Sequence, residues 1–184
     1  MSNTVEGTLG ISVIIPTYNE EATIEECLDA LLAAEHHGNK EILVSDGCSE
    51  DRTRDIVERY QQTNDTIRLY DNVERTTPHG MNIGLEQANG DVITFISGHS
   101  VPPLDFFTNI VTAFEEAPDA DVVGGRRVPN PQTYFEHAVA NALVSPLGSS
   151  STRFQPIEGY VETVNFGAYR REVIETVGKM NTDL

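Results

Sequence analysis

The segment ISVIIPTYNEE, residues Ile11–Glu21, determines how the fold of this 184-residue chain is interpreted. Its apolar, β-branched first half, Ile11 to Pro16, is typical of a strand that is buried on both faces of a sheet. Asn19 can cap a following helix, whose first turn then carries Glu20 and Glu21 near the positive end of the helix dipole. Apolar residues recur beyond this point at helical spacing: Ile24, Cys27, Leu28, Leu31 and Leu32. The segment therefore predicts a buried strand followed by an amphipathic helix.

The same alternation of strands and helices continues along the chain. Further strands are predicted at Glu41–Ser45, Ile67–Tyr70, Asp91–Ile96, Asp121–Gly125 and Tyr160–Phe166. Helices are predicted after the loop 46–51, from Pro78 to Ala88, after Pro103, around Phe135 to Leu143, and at Arg170–Val177. Strands that alternate with helices favour a parallel sheet. We therefore predict one α/β domain with a Rossmann-like, mainly parallel sheet that is flanked by helices.

The composition excludes several classes of protein. The 29 acidic and 12 basic residues give a net charge of −17, which argues against nucleic acid as a partner. Hydrophobic residues make up 39% of the chain, which is too many for a disordered acidic tail, and no apolar run approaches the roughly 18 residues of a membrane span. The two cysteines are too few for a disulfide scaffold and lack the paired spacing of a zinc site. A reducing cytoplasm is the setting that these features favour.

The basic residues have an unusual distribution, because only Lys40 and Lys179 are lysines. An acid-rich, lysine-poor composition is typical of proteins from a salt-loaded cytoplasm, where at about 1 M salt the Debye length falls to about 3 Å and surface repulsion is nearly silenced. Two interpretations stay open: a halophilic protein, or an acidic mesophilic protein with a solvated surface.

Polar residues cluster where three predicted strands end. They are Thr17 to Glu20, Asp46 to Asp51, and Ser97 to Ser100. Ligands of open α/β sheets bind at the carboxyl ends of the strands, so we expect the ligand site at this edge. The chain has neither G-x-G-x-x-G after the first strand nor a G-x-x-x-x-G-K-[ST] motif, which excludes a dinucleotide fingerprint and a P-loop.

Ordered motifs at consistent spacing make the chain resemble a family 2 glycosyltransferase of the GT-A fold, from about Ile11 to Gly178. The opening segment Ile11–Glu21, followed one helix later by DGCSEDRT at Asp46–Thr53, carries this resemblance. Later segments resemble the branch that includes succinoglycan-biosynthesis glycosyltransferases: His79–Gly84 (HGMNIG), Gly98–Val101 (GHSV), Ser145–Phe154 (SPLGSSSTRF) and Val161–Glu172 (VETVNFGAYRRE). The motifs are specific for the family and not for any sugar.

The resemblance implies a pocket for a nucleoside-diphosphate sugar. The residues that it places there are Pro16, Thr17, Tyr18 and Glu20 around the base and ribose, Asp46 at the base edge, Asn82 near the ribose or phosphates, and Ser97 and Gly98. Structural alternatives stay open for three of them. Glu20 can be a helix-capping acid, Asp46 can stabilise its own turn, and Asn82, at a helix start after Gly80, can be a cap. Ser49 and Asp51 are interpreted as caps of the second helix.

The metal-binding motif of the family departs from its usual form. GT-A enzymes carry an acidic D-x-D after the fourth strand, and this chain has Ser97-Gly98-His99 instead. Imidazole is a competent ligand for Mn²⁺, so the resemblance implies a divalent cation, Mn²⁺ or Mg²⁺, at His99. The alternative is a strand-end histidine hydrogen-bonded to its loop.

Arginines are the candidates for holding the diphosphate, because their planar fork of donors suits phosphate. Arg126 and Arg127 after the fifth strand, and Arg75 before the third helix, are those candidates. For each of them, a solvated surface position is the alternative.

The resemblance implies transfer of a sugar, with inversion, from its nucleoside diphosphate to the hydroxyl of a sugar, lipid-linked or protein-glycan acceptor. Residues 11–127 would be the donor-binding part of the single domain, and 128–184 an acceptor-side part that is incomplete at its C-terminus. Asn181 and Thr182 stand where the family has an acidic pair, so we expect the general base beyond Leu184, and a membrane contact at the inner face through a part outside this chain. The alternatives are a non-catalytic nucleotide-sugar binder and a structural subunit.

Overall fold

The computed structural model describes residues 8–125, 131, 133–145, 159–161, 164 and 166–183. The strands are β1 (Ile11–Thr17), β2 (Lys40–Asp46), β3 (Ile67–Asp71), β4 (Val92–Phe95), β5 (Val122–Val123) and β6 (Ala168–Arg170). The helices are α1 (Ile24–Ala33), α2 (Thr53–Thr63), α3 (Thr77–Gln87), α4 (Phe106–Glu116), α5 (Tyr134–Val144) and α6 (Arg171–Val177). Every helix in this part of the chain is too short or too polar to cross a membrane.

The strands form one six-stranded sheet in the order β3-β2-β1-β4-β6-β5. Strand β1 lies near its centre and pairs in parallel with β2 and β4, with Ile14 opposite both Leu43 and Phe95. Strand β6 is antiparallel to β4 and to β5. The prediction of a mainly parallel α/β sheet is therefore confirmed.

The two faces of the sheet bury separate apolar clusters. On one face, α1, α2 and α4 cover β1 and β2, and Phe107 of α4 is fully buried. On the other face, α3 packs on Ile14, Leu43 and Ile93. Helix α3 approaches closely because Gly84 faces β1, where a Cβ atom would lie 2.3 Å from Cγ2 of Ile14. The close approach fixes the start of α3 beside the carboxyl end of β1.

The prediction that Asn19 caps the first helix is wrong. Helix α1 begins at Ile24, and its N-cap residue Thr23 makes no capping side-chain bond. Asn19 adopts a left-handed φ of +53°, and its side-chain oxygen accepts a hydrogen bond at 2.8 Å from the backbone of Glu50. A polar side chain can accept a hydrogen bond from a backbone N–H of its own helix or of a neighbouring loop. Asn19 bonds to the neighbouring loop because the sheet brings the two loops together.

The predicted strand Tyr160–Phe166 is also displaced. The observed strand is β6, which places Tyr169 opposite Ile93 of β4, whereas the Tyr160 side chain is 93% exposed. Residues 162, 163 and 165 lie outside the described part of the chain. Apolar alternation alone does not show which residues reach the open edge of β4, and sheet pairing decides it.

Helix α5 confirms the helical spacing predicted around Phe135 to Leu143. It begins with a capping box between Thr133 and Glu136. Its large apolar residues Tyr134, Phe135 and Val139 are exposed, Phe135 to 75%, whereas Leu143 is half-buried. Spacing therefore predicted the helix but not a partner for its apolar side.

Candidate functional site

A cavity of about 590 Å³ opens where the parallel strands end. Its polar lining comes from three places: the loop after β1, the connection from β3 to α3, and the loop after β4. Its apolar lining comes from α3, β4, β6 and the segment after α6. The lining includes Pro16, Thr17, Tyr18, Glu20, Asn72, Arg75, Thr76, Met81, Phe95, Ser97, His99, Tyr169 and Met180. The predicted edge of the sheet thus carries a concave site that is large enough for a small-molecule ligand.

Two buried oxygens at this edge have no hydrogen-bond partner among the described residues. They are Oγ1 of Thr17 and Oδ1 of Asn72, and both residues line the cavity. Thr17 is 6% exposed and Asn72 is 3% exposed. Because buried polar atoms are normally paired, unpaired ones on a cavity wall point to a ligand.

Asp46 lies beside the cavity and is occupied by its own loop. Its carboxylate is fully buried and accepts hydrogen bonds from the backbone N–H of Ser49 at 3.0 Å and from its hydroxyl at 2.5 Å. The guanidinium of Arg54 stands 3.8 Å away. These contacts are those of a turn acid that stabilises its loop, and Asp46 is not among the residues that line the cavity.

The loops after β1 and β2 are tied together by side chain to backbone hydrogen bonds. Oγ of Ser49 accepts from the backbone N–H of Asn19, and the Asp51 carboxylate accepts from that of Glu21. Asp51 also accepts from the backbone N–H of Thr53 at the start of α2, but the N-cap position is Arg52, which makes no capping side-chain bond. Burial raises the pKa of Asp51, but the hydrogen bonds from Thr53 and Glu21 outweigh that effect and hold it below its ordinary value. Ser49 therefore links the loops after β1 and β2, and the prediction that it caps α2 is wrong.

Glu20 and His99 meet across the cavity. Nδ1 of His99 lies 3.0 Å from Oε1 of Glu20, and Oε2 of Glu20 accepts from the hydroxyl of Thr23 at 2.9 Å. The Glu20 backbone N–H donates to Oγ1 of Thr53 at 2.7 Å. The imidazole of His99 is 60% exposed, so it faces the cavity mouth.

Gly98 permits the close approach of the loop after β4 to β1. A Cβ atom at Gly98 would lie 3.2 Å from Oγ1 of Thr17 and 3.3 Å from Ile24. That contact brings Ser97 and His99 to the end of the central strand. A side chain at this position would require Thr17 or Ile24 to shift by a few tenths of an ångström.

The residues at the cavity fit a divalent cation that is shared with a phosphate ligand. Within residues 8–125 and the described segments beyond them, no group of three or more His, Cys, Asp or Glu side chains could hold a metal ion. His99 nevertheless offers its second ring nitrogen, because Nδ1 is paired with Glu20, and imidazole is a ligand that Mn²⁺ accepts. Cations at phosphate sites take many of their ligands from water and from the substrate, so a single protein ligand is compatible with such a cation.

Asn82 lies in the second turn of α3 and not at a helix start as predicted. Its side-chain amide is paired with the backbone of Met180, donating to the carbonyl at 3.0 Å and accepting from the N–H at 2.8 Å. It is not among the residues that line the cavity. Its contact with the ribose or phosphates stays a prediction, and the structure gives its amide another partner.

Of the three predicted diphosphate arginines, the structure describes Arg75. Arg75 lines the cavity with a left-handed φ of +57°, and its guanidinium lies 3.4 Å from Glu50. Arg126 and Arg127 lie outside the described residues.

Sequence reasoning missed two sets of lining residues. Asn72 and Thr76 precede α3, and the Thr76-Thr77-Pro78 start of that helix was a usable signal, because helix N-termini bind anions. The apolar residues Met81, Phe95, Tyr169 and Met180 gave no signal, since apolar residues in strands and helices are typical of the core.

The family comparison matches most of the chain. A family model described as Glycosyl transferase family 2 matches residues 12–178. The chain is 32% identical over 174 residues to a dolichyl N-acetyl-alpha-D-glucosaminyl phosphate 3-beta-D-2,3-diacetamido-2,3-dideoxy-beta-D-glucuronosyltransferase of Methanococcus voltae, with 90% of this chain and 54% of that protein covered. It is 30% identical over 173 residues to glycosyltransferase AglE of Haloferax volcanii, with 91% and 55% covered. The chain therefore spans about half the length of the curated relatives it matches.

Solved structures agree with the sheet topology. A mannosyltransferase of Pyrobaculum calidifontis, in complex with GDP-Man and Mn²⁺, superposes with a TM-score of 0.70 at 24% identity, covering 97% of this chain and 49% of that one. TarS residues 1–349 of S. aureus superpose with a TM-score of 0.69 at 22% identity, covering 91% and 49%. These neighbours show that the fold is GT-A.

Proposed function

The chain belongs to glycosyl transferase family 2, and from this membership we propose that its cavity binds a nucleoside-diphosphate sugar as the donor of a glycosyl transfer. One observation carries the proposal: Thr17 and Asn72 line a cavity at the sheet edge where α/β proteins bind ligands, and each has a buried side-chain oxygen without a partner among the described residues. A nucleotide sugar is rich in N–H and O–H donors, so it can satisfy both oxygens.

The order of the strands suggests how the donor lies. The polar residues Asn72, Arg75 and Thr76 follow β3, at one side of the sheet, and Thr17 is the last residue of the central β1. The apolar lining residues Phe95 and Tyr169 lie on β4 and β6, towards the other side. We assign the nucleotide to the polar end and the sugar to the apolar end, because sugar rings present apolar faces that pack on aromatic side chains.

The diphosphate lies between these ends, near His99. The net charge of −17 makes local positive charge necessary, and Arg75 supplies it from the cavity wall. We retain Arg126 and Arg127 as further candidates. His99, oriented by Glu20, would hold a divalent cation, which would neutralise charge on the departing diphosphate.

The chemistry is a substitution at the anomeric carbon. The acceptor oxygen forms a new bond to that carbon, the bond from the carbon to the diphosphate oxygen breaks, and the nucleoside diphosphate leaves with the electron pair. A general base takes the acceptor proton. Thr17, Asn72 and Arg75 bind and orient the donor, and Asp46 holds the loop beside them.

The finer assignments are proposals of the same kind. The HGMNIG segment at His79–Gly84 supports the succinoglycan-biosynthesis branch. We propose residues 11–127 as the donor part and residues 128–184 as an acceptor-side part. We also propose inversion at the anomeric carbon, a sugar, lipid-linked or glycan acceptor, and a cytoplasmic site of action at the inner membrane face.

Non-catalytic binding of a nucleotide sugar, or a structural subunit, is the second candidate. The observation that favours it is Ser97-Gly98-His99 in place of two acids, which leaves one nitrogen where the family has carboxylates. A measurement of nucleotide binding distinguishes these functions. The structural subunit would bind no nucleotide, whereas the glycosyltransferase and the non-catalytic binder both would.

Titration calorimetry of the chain with UDP, GDP and dTDP, with and without Mn²⁺, tests the proposal. We expect saturable binding of one nucleotide, and binding of none by the folded chain would refute the donor site. Arg75→Ala should weaken binding about tenfold, the order of a charge-assisted hydrogen bond. Arg59→Ala is the matched control, since Arg59 is similarly exposed and similarly paired with a glutamate but lies on α2.

A further inference from the structure

The segment after α6 forms part of the cavity wall. Helix α6 ends at Gly178, whose φ of +91° turns the chain, and Met180 then lines the cavity. Met180 is 98 residues from Asn82 of α3 in sequence, yet the two residues are hydrogen-bonded. A wall built from such a distant segment needs a specific attachment.

Asn82 provides that attachment. Its amide donates to the carbonyl of Met180 at 3.0 Å and accepts from the N–H of the same residue at 2.8 Å. A side-chain amide is the group that can satisfy both backbone atoms of one residue at once. Lys179 and Glu86 form an ion pair beside it, but both side chains are about half exposed, and exposed ion pairs contribute little.

Met180 belongs to the apolar part of the cavity lining. Met81 of α3, Phe95 of β4 and Tyr169 of β6 line the same cavity, and the rings of Phe95 and Tyr169 meet edge to face with centroids 6.0 Å apart. Met81 is only one residue from Asn82, so the attachment lies directly behind this apolar wall. A methionine held there can adapt its shape to a sugar.

We infer that Asn82 is a positioning residue that holds Met180 as a wall of the sugar end of the cavity. The inference rests on the proposed donor site and adds to it a residue that selects for the sugar part of the donor. Asn82 acts through Met180, because both of its polar atoms are occupied by the Met180 backbone.

The test compares affinity for a diphosphate with affinity for the corresponding sugar conjugate. UDP and UDP-N-acetylglucosamine, and GDP and GDP-mannose, are titrated against the wild-type chain, Asn82→Ala, Met180→Ala and the double variant. Lys179→Ala is the matched control, since it removes the neighbouring ion pair and leaves the Asn82 attachment in place. Hydrogen exchange of residues 178–183 without ligand reports whether the segment is released.

We expect Asn82→Ala and Met180→Ala each to weaken sugar-conjugate binding about tenfold, on the order of the loss of well-made buried contacts, with diphosphate binding within about twofold of wild type. The double variant should be no worse than the single ones, because both act on one group. Asn82→Ala alone should raise exchange in 178–183, and Lys179→Ala should change none of these values.

Three results would overturn the inference. The first is equal loss of diphosphate and conjugate binding in Asn82→Ala, which a general structural role produces. The second is additive loss in the double variant. The third is diphosphate binding by the wild-type chain together with an affinity for the sugar conjugate that is the same in the wild type and in every variant. Failure of the wild-type chain to bind any of the four ligands would instead refute the donor site itself, and the inference with it.

Discussion

The end of β2 with its loop and the cavity beside it carry similar buried polar residues, but these residues differ in whether their side chains are hydrogen-bonded within the protein. In the loop, the Asp46 carboxylate is fully buried and bonded to Ser49. At the cavity, Thr17 and Asn72 are nearly as buried, yet one oxygen of each is unpaired among the described residues. Both regions lie at the carboxyl ends of neighbouring strands.

The difference separates structural from ligand-directed polar groups. A carboxylate whose oxygens are used by its own loop stabilises that loop, and removing it leaves buried donors without partners. A hydroxyl without a partner costs free energy in the unliganded protein and gains a bond when a ligand arrives. Changes in the loop should therefore alter stability, and changes at the cavity should alter binding.

The largest expected effect is on stability. Asp46→Ala should lower the free energy of unfolding by about 3 kcal/mol, because the Ser49 donors lose a charged, buried acceptor. Denaturant unfolding measures it, with Asp65→Ala, an exposed turn acid, as the control. Unchanged stability together with lost nucleotide binding would place Asp46 at the edge of the nucleotide base. It would also remove the contrast between Asp46 and the polar residues at the cavity.

The next effect is on metal-dependent binding. His99→Ala should weaken nucleotide affinity in Mn²⁺ about tenfold, or about 1.4 kcal/mol, and leave the metal-free affinity and the stability unchanged, since the imidazole is mostly exposed. Calorimetry measures both, and His37→Ala, exposed and outside the cavity, is the control. An unaltered response to Mn²⁺ would exclude His99 from the site.

A smaller effect compares two hydroxyls with the same chemistry. Thr17→Val should weaken nucleotide binding about fivefold, the order of one hydrogen bond, without loss of stability. Thr94→Val removes another buried, unpaired hydroxyl, but from β4 away from the cavity lining, and should leave binding unchanged. Equal effects of the two substitutions would contradict a ligand role for Thr17.

The smallest effect concerns pH. Because the folded pKa of Asp51 lies below its ordinary value of 3.8, its charged form stabilises the folded state above that pH, and the contribution is lost as the pH falls through the lower folded value. Asp51→Asn should therefore reduce the difference in unfolding free energy between pH 5 and pH 3. Thermal unfolding at both pH values measures it, and an identical difference in the two proteins would show that the loop bonds do not depend on that charge.

Much of the fold could be predicted because local patterns dominate it. The apolar run from Ile11 and the helical spacing from Ile24 to Leu32 predicted β1 and α1, and burial of both confirms them. The sequence predicted the edge of the sheet at which the candidate site lies. The predicted residues that line the cavity there include Thr17, Tyr18, Glu20, Ser97 and His99. The placement of Asn19 failed because a hydrogen-bonding side chain has several possible partners.

The family, the α/β class and the strand ends that carry the polar residues follow from periodicity and from motifs along the chain. Which polar atoms are paired follows from the three-dimensional arrangement. The occupied carboxylate of Asp46, the oxygen of Asn72 that has no partner among the described residues, and the attachment of Met180 by Asn82 are features that periodicity does not encode. The physical reason is that hydrogen bonding is short-ranged and directional, so a residue's role follows from its neighbours in space.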